Sequence, residues 1–540
     1  MLSFFELFSS SSLYFLVTCA LTYCVVDTLR AHAVIRKQAN IPVAGGLSIP
    51  TPRFFTNLLF AWRAADILER GYRKFTNRPF QLVREDGGVL VLPSSMLEEL
   101  AALPDRVATA HGALEHDLLG RYTGLDIVLK TRLHHTIVQR RLTTRLKDVI
   151  PNMEKALTTA FNDWFPKPKN DNWTNFQPYQ DISKIMARFT AEVLVSPEFS
   201  DNPVWLEIAV QYTENLFRTI VILRLFPSWL HPIICWFVPS WWRVQSYIKS
   251  SKQLLGPRVK ELLEMNDNGT WAPQLDEKGD LNIMAWLIGT VKGPERNADR
   301  LAHVQVVTAL ASVHTTMLRI VNVLYDIHSA GPGLVDELRA EIEDVATAQK
   351  NWTDSAYDHL HKLDSVLRES QRLSPPTTLG LKRLFREPWT FKNGLHVEPG
   401  TYVCLPVYAI ENDPERVPDP ARFDGLRHYR QAMNAKGDNN GNNKASSGDD
   451  FRFSTPSPTS LSFGYGKAAC PGRFFASVAI KMVFVKLLSE YEFRFVPEDV
   501  GDGTQRVAQR PRNYMVHEFL FPWPWDWLQM RRRNGGICPL

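Results

Sequence analysis

The sequence predicts a mainly α fold with a minor β part, preceded by one N-terminal membrane helix. Three observations carry this reading. An apolar run from about Leu13 to Val26, reaching back to Phe4, attains the length that a bilayer core demands. From about Ala61 to Leu373, apolar residues recur three and four apart in long segments with few β-branched runs, as in helices packed on a core. From Leu381 the runs shorten and break at Asn393-Gly394 and Pro399-Gly400, the punctuation of small hairpins.

In chain order, residues 1–28 read as a membrane anchor. Arg30, Arg36 and Lys37 follow the apolar run, which places the bulk of the chain on the cytoplasmic side. A cleaved signal peptide is the rival, but its basic residues would precede the run and no clear A-x-A site follows it. Residues 29–52 form a basic, proline- and glycine-rich linker ending in IPVAGGLSIPTPR. Residues 53–530 make one large domain. Within it, RLFPSWLHPIICWFVPSWWRV carries Trp229, Trp236, Trp241 and Trp242, with prolines that rule out a regular membrane span. It reads equally as a buried connection or as a loop entering the membrane interface. The polar stretch 434–450 is expected to be a flexible insertion, and Arg531 to Arg533 open a solvated basic tail, 531–540.

The bulk composition narrows the function. With 44% hydrophobic and 22% charged residues, the chain is globular and not disordered. A net charge of +5 over 540 residues is small, and no nucleic-acid-binding pattern accompanies it. Six scattered cysteines without paired spacing indicate a reducing compartment.

Three groups of residues carry chemistry. Cys470 stands where a glycine-rich loop becomes a helix, and a helix start favours thiolate over thiol. Such a sulfur is inert packing, a nucleophile or a metal ligand. Gly466 and Gly472 allow close approach of something flat, and Pro471 suits an early helical position. Glu369 and Arg372 lie three apart, on one helix face. Arg422, in the Pro-Ala-Arg-Phe stretch, would close a buried network with them. Finally, Val304, Val307, Ala311, Leu318 and Val321 recur at helical spacing, and His314, Thr315 and Thr316 interrupt that stripe. Thr315 either bonds back to the preceding turn or serves a site, with His314 as a titratable neighbour near neutral pH.

F-x-x-G-x-x-x-C-x-G from Phe463 to Gly472, E-x-x-R, P-x-R-F and A-x-x-H-T-T occur here in one order. Together they resemble the cytochrome P450 superfamily of haem-thiolate monooxygenases, over most of the chain. The wording HTT, LRESQRLSPP, PARFDGLR and ACPGRFFA is most similar to fungal members related to ent-kaurene oxidases. The resemblance implies haem b with Cys470 as axial thiolate, beside Phe463, Gly466 and Gly472. It implies a network of Glu369, Arg372 and Arg422 behind the haem, and propionate contacts from Arg383 and from Arg140 or Arg141. It makes Thr315 the oxygen-activating hydroxyl, next to Ala311 and His314.

The implied activity is oxidation, in one or several steps, of an apolar terpenoid or meroterpenoid metabolite. Electrons would come from NADPH through a separate cytochrome P450 reductase, with cytochrome b5 as an alternative donor. Arg473, Lys481 and Lys486 are candidates for facing that reductase, against plain solvation. The expected location is the endoplasmic reticulum membrane, single-pass, with a cytoplasmic catalytic domain. Relatives usually carry Arg or His two residues before the cysteine, where this chain has Ala468. Weaker haem retention is therefore expected. A haem-thiolate isomerase or dehydratase, and a haem-binding membrane protein that has lost catalysis, are the alternatives.

Overall fold

A computed structural model describes residues 40–45, 53–84, 87–168, 172–273, 280–349, 352–437, 451–499, 505–506 and 509–540, with residues 14, 18–19, 21–23 and 25–29 near the start. Most of the expected anchor and linker, and residues 438–450 of the expected insertion, lie outside the described residues. Residues 434–437 end a helix, Arg427–Gly437.

Helices dominate, as the 3.6-residue spacing predicts. Those that build the site are α1 (Arg53–Lys74), α2 (Ala110–Asp117), α3 (Leu133–Ile137), α4 (Leu146–Trp164), α5 (Pro178–Leu194), α6 (Pro203–Leu223), α7 (Pro239–Asp267), α8 (Ala298–Ser329), α9 (His361–Leu373), α10 (Val407–Glu411), α11 (Arg427–Gly437) and α12 (Arg473–Glu490). The centre is α8, which packs against α5, α6, α7, α9 and α12. Asn297 caps it by accepting from the Arg300 amide at 2.9 Å. Among the described residues it is the one helix long and apolar enough to cross a membrane, but most of it is buried. It is a core helix.

The strands are more numerous than the sequence texture indicates. Strands β1 (Phe80–Arg84), β2 (Gly87–Val91), β3 (Ala108–Thr109), β5 (Gly380–Phe385) and β8 (Tyr402–Leu405) form a sheet ordered β1-β2-β8-β5-β3. Its one parallel pair is β2 with β8. The β1–β2 hairpin interrupts the stretch expected to be helical: Gly87 and Gly88 open β2, and Phe80, Leu82 and Val89 turn into the core. The expected hairpins after Leu381 are present, with β6 (Trp389–Thr390) paired to β7 (His396–Val397) around Gly394, whose φ is +85°.

The C-terminus differs from the solvated tail expected. β4 (Thr174–Phe176), β9 (Tyr491–Phe495) and a strand over Leu528–Arg532 form a second sheet with the C-terminal strand in the middle. Arg531 bonds Glu492, Arg532 bonds Glu490 and Arg533 bonds Glu343. Acidic partners from remote segments turn the basic run into part of the structure.

Candidate active site

The segment entering α12 is shaped by its glycines. Gly464 and Gly466 adopt φ of +77° and +62°, and a Cβ on Gly464 would stand 3.0 Å from the Ala468 carbonyl oxygen. Folded this way, the loop returns the Cys470 amide to the Phe463 carbonyl at 2.7 Å. The Phe463 ring packs edge-on against Phe453. Gly472 needs no special backbone angle, and a Cβ there would make only ordinary contact, 4.0 Å from the Cys470 sulfur.

Cys470 lies deep among protein atoms yet keeps accessible surface, as a side chain lining an internal cleft does. Burial pushes its thiol up, while the Gly472 and Arg473 amides and the Arg473 guanidinium pull the other way. That donor set suits a sulfur that becomes a thiolate when a cation holds it. Thr143 ties the neighbouring segment to this loop, donating to the Pro471 carbonyl at 3.2 Å. No sequence signal marks Thr143.

Along α8, Ala311 and Thr315 lie one turn apart and are exposed, in a helix otherwise largely buried. The Thr315 hydroxyl donates to the Ala311 carbonyl at 2.6 Å. His314 points elsewhere. It is buried, neither ring nitrogen has a hydrogen-bond partner among the described residues, and burial lowers its pKa to about 4. The expected titratable neighbour of Thr315 is thus held neutral in the core.

The carboxylate network has a different third member from the one expected. Arg372 donates to Glu369 at 2.6 and 2.9 Å, and to Pro420 O at 2.7 Å. Arg422 is exposed and meets the network through its carbonyl, which accepts from Arg427 at 3.4 Å and Arg372 at 3.5 Å. The second guanidinium on Glu369 is that of Arg427, at 3.2 Å, and His428 Nε2 lies 3.4 Å from the other oxygen. Burial pushes the Glu369 carboxyl up, and its bonds to Arg372 together with the nearby His428 ring more than offset this, leaving it at about 2.

The remaining candidates disperse. Arg383 is buried on β5, where it donates to the Lys382 carbonyl at 2.9 Å, and burial lowers its pKa. Arg140 and Arg141 are exposed in a π-turn over Val138–Leu142. Lys481 and Lys486 do not reach a surface: both are buried, on Asp364 at 2.7 Å and Glu490 at 2.6 Å. Arg473 folds back onto the Cys470 carbonyl at 2.8 Å.

The family model described as Cytochrome P450 matches residues 98–517. A cytochrome P450 monooxygenase of Emericella nidulans is 33% identical over 509 residues, 94% of this chain and 91% of its own. The chain belongs to the cytochrome P450 family. An ent-kaurene oxidase of Gibberella fujikuroi is 30% identical over 515 residues, 94% of this chain and 95% of its own. A cytochrome P450 monooxygenase of Penicillium paxilli is 31% identical over 492 residues, 90% and 89% of the two chains.

As a P450, this protein is a monooxygenase, and its family implies a haem-thiolate cofactor, a redox partner and a small-molecule substrate. The residues present fit such a haem. The sulfur faces accessible space and backbone donors aim at it.

Proposed function

We propose that this P450 oxidises an apolar terpenoid or meroterpenoid metabolite, in one or several steps. The observation that carries the reading is Cys470 itself: an accessible sulfur at a helix start, met by the Gly472 and Arg473 amides. When bound, the haem supplies dioxygen activation and one-electron transfer. Cys470 would hold it as a thiolate, with the loop of Phe463 and Gly466 and the amide at Gly472 around the sulfur. Glu369, Arg372 and Arg427 brace the wall behind that loop, and Arg383 serves an acidic haem side group. Arg140 remains a candidate for a second such contact.

Thr315 holds its hydroxyl proton on the Ala311 carbonyl, and rotation about χ1 releases it toward the exposed face of α8. Small Ala311 leaves room beside it. Two electrons per hydroxylation come singly from NADPH through a separate reductase, with cytochrome b5 as an alternative donor, and the two protons that leave as water are drawn from solvent. The terpenoid class is supported by a relative named for oxidising ent-kaurene.

The protein is placed in the endoplasmic reticulum membrane, with residues 1–28 as anchor, 29–52 as linker and 53–530 as the cytoplasmic catalytic domain. Leu21, Val25, Val26 and Leu29 are exposed, which suits contact with lipid. Exposed Trp229, Ile233, Trp236, Phe237 and Trp242 support the interfacial reading of that loop over the buried one.

The test is the carbon monoxide difference spectrum of reduced microsomes from a host expressing the protein. A far-red-shifted Soret band that Cys470→Ala abolishes is expected. A band typical of a neutral proximal ligand would overturn the reading. NADPH-dependent turnover of candidate diterpenes then separates a monooxygenase from an isomerase.

A further inference from the structure

The cysteine loop is not anchored by its own residues alone. Its first two amides end on a carboxylate from another segment. Glu411, the last residue of α10, is buried, and its Oε1 accepts from the amides of Leu461 and, at 3.1 Å, Ser462. The Ser462 hydroxyl adds bonds at 3.4 and 3.5 Å. From there the path to the sulfur is short. Leu461 O accepts from the Gly464 amide at 2.7 Å, and Phe463 O accepts from the Cys470 amide at 2.7 Å. Leu461 is fully buried, so its amide has no recourse to water if the carboxylate is removed.

We propose that Glu411 is a positioning residue for the thiolate ligand. It fixes the Leu461–Ser462 peptide, and through the Phe463 carbonyl it sets where the Cys470 backbone, and hence its sulfur, stands. The inference rests on the haem-thiolate reading of Cys470 and names a residue outside the motifs that carry it.

The environment of Glu411 gives this role a second signature. Burial raises its carboxyl to about 7, against the Leu461 amide, the Arg368 guanidinium of α9 and the Ser462 bonds, all of which lower it. Arg319 of α8 also faces it. Losing the negative charge weakens both amide bonds at once, so the loop loosens as pH falls through neutrality.

The experiment compares wild-type protein with Glu411→Gln and Glu411→Ala in detergent-solubilised membranes, by carbon monoxide difference spectra between pH 6 and 8.5. Glu341→Gln is the control. Glu341 is a half-buried carboxylate, likewise raised to about 7 by burial, and it accepts from the Lys362 and Leu363 amides at 2.6 and 3.0 Å, outside the cysteine segment.

In wild-type protein the far-red band should give way to the neutral-ligand band as pH falls through about 7. In Glu411→Gln that transition should flatten, and in Glu411→Ala the neutral-ligand band should prevail throughout. Glu341→Gln should lower Tm while leaving the wild-type spectral profile. A wild-type far-red band with identical profiles in the Glu411 variants overturns this inference alone. A wild-type protein with no far-red band at any pH overturns the haem-thiolate reading and this inference with it.

Discussion

Arg427 donates to Glu369 Oε1 at 3.2 Å, and so joins Arg372 on a carboxylate with no exposed surface. Burying that anion is tolerable because two guanidiniums and the Asp424 amide, at 3.2 Å, share it. Removing one cation leaves the other carrying the charge alone. Arg427→Met should therefore destabilise the protein by about 1–3 kcal/mol, whereas Arg422→Met should stay within about 0.5 kcal/mol. Haem content per protein and urea midpoints check both. Equal losses would return the third place in the network to Arg422.

Glu518 sits in a second buried knot, with Arg224 at 3.0 Å, Arg84 at 3.2 Å and Lys382 at 3.5 Å, and Asp117 shares the same three cations. Burial alone would raise the Glu518 carboxyl, but the three cations bring it down to about 2, and Asp117 is held well below its usual value. Because the folded-state values are depressed, the stabilisation is present above the unfolded value near 4.5 and is lost as pH falls toward 2. A shift of this size corresponds to roughly 3 kcal/mol. Wild-type Tm should fall steeply between about pH 5 and 2. Glu518→Gln should start lower at pH 7 and show a shallower slope in that window. Parallel curves would mean that this knot does not govern acid stability.

Local spacing made the cysteine loop and the Glu369–Arg372 pair legible, because each is fixed by residues close in sequence. Which arginine joins them is a tertiary matter. Arg422 and Arg427 lie five apart, and only the turn into α11 decides that the second reaches the carboxylate. Lys481 reads as a surface charge for the same reason, since Asp364 meets it from 117 residues away. The β1–β2 hairpin did carry a signal, Asp86-Gly87-Gly88, which the helical texture around it obscured. Glu411 carried none: a carboxylate that binds backbone amides leaves no motif.

Thr315 makes its bond to a carbonyl that already belongs to the helix, so losing it orphans no buried group. Thr315→Val should change stability by no more than about 1 kcal/mol. Its effect should fall on proton delivery: product formed per NADPH should drop by about 100-fold, the low end for general acid–base groups. NADPH consumption would continue with peroxide released instead. Thr315→Ser, which keeps the hydroxyl, should retain most coupling. Full coupling in Thr315→Val would assign the hydroxyl to helix geometry alone.

Ala468 closes the short turn Gly466–Ala468 and is exposed, leaving space for a longer side chain. Ala468→His should add a charge-assisted hydrogen bond to an acidic haem side group, worth about 1.5–3 kcal/mol. Haem transfer to an acceptor apoprotein should slow by roughly 10- to 100-fold. Unchanged transfer rates would mean that the substituted imidazole finds no such partner.

The aromatic loop touches both Tyr23, near the start of the chain, and α1. Tyr23 meets Trp229 at 5.8 Å between ring centres, and Phe226 meets Phe54 of α1 at 6.0 Å. α1 in turn exposes Phe55, Leu58 and Trp62. Rings this size prefer the bilayer interface to water, where the indole N–H stays hydrated while the ring is buried. In vesicles of brominated phosphatidylcholine, tryptophan fluorescence should therefore be quenched relative to unbrominated vesicles. Trp236→Phe combined with Trp242→Phe should remove part of the quenchable signal. Core Trp205, which is 1% exposed, should contribute none of it. A double variant with an undiminished quenchable fraction would move the lipid contact away from this loop.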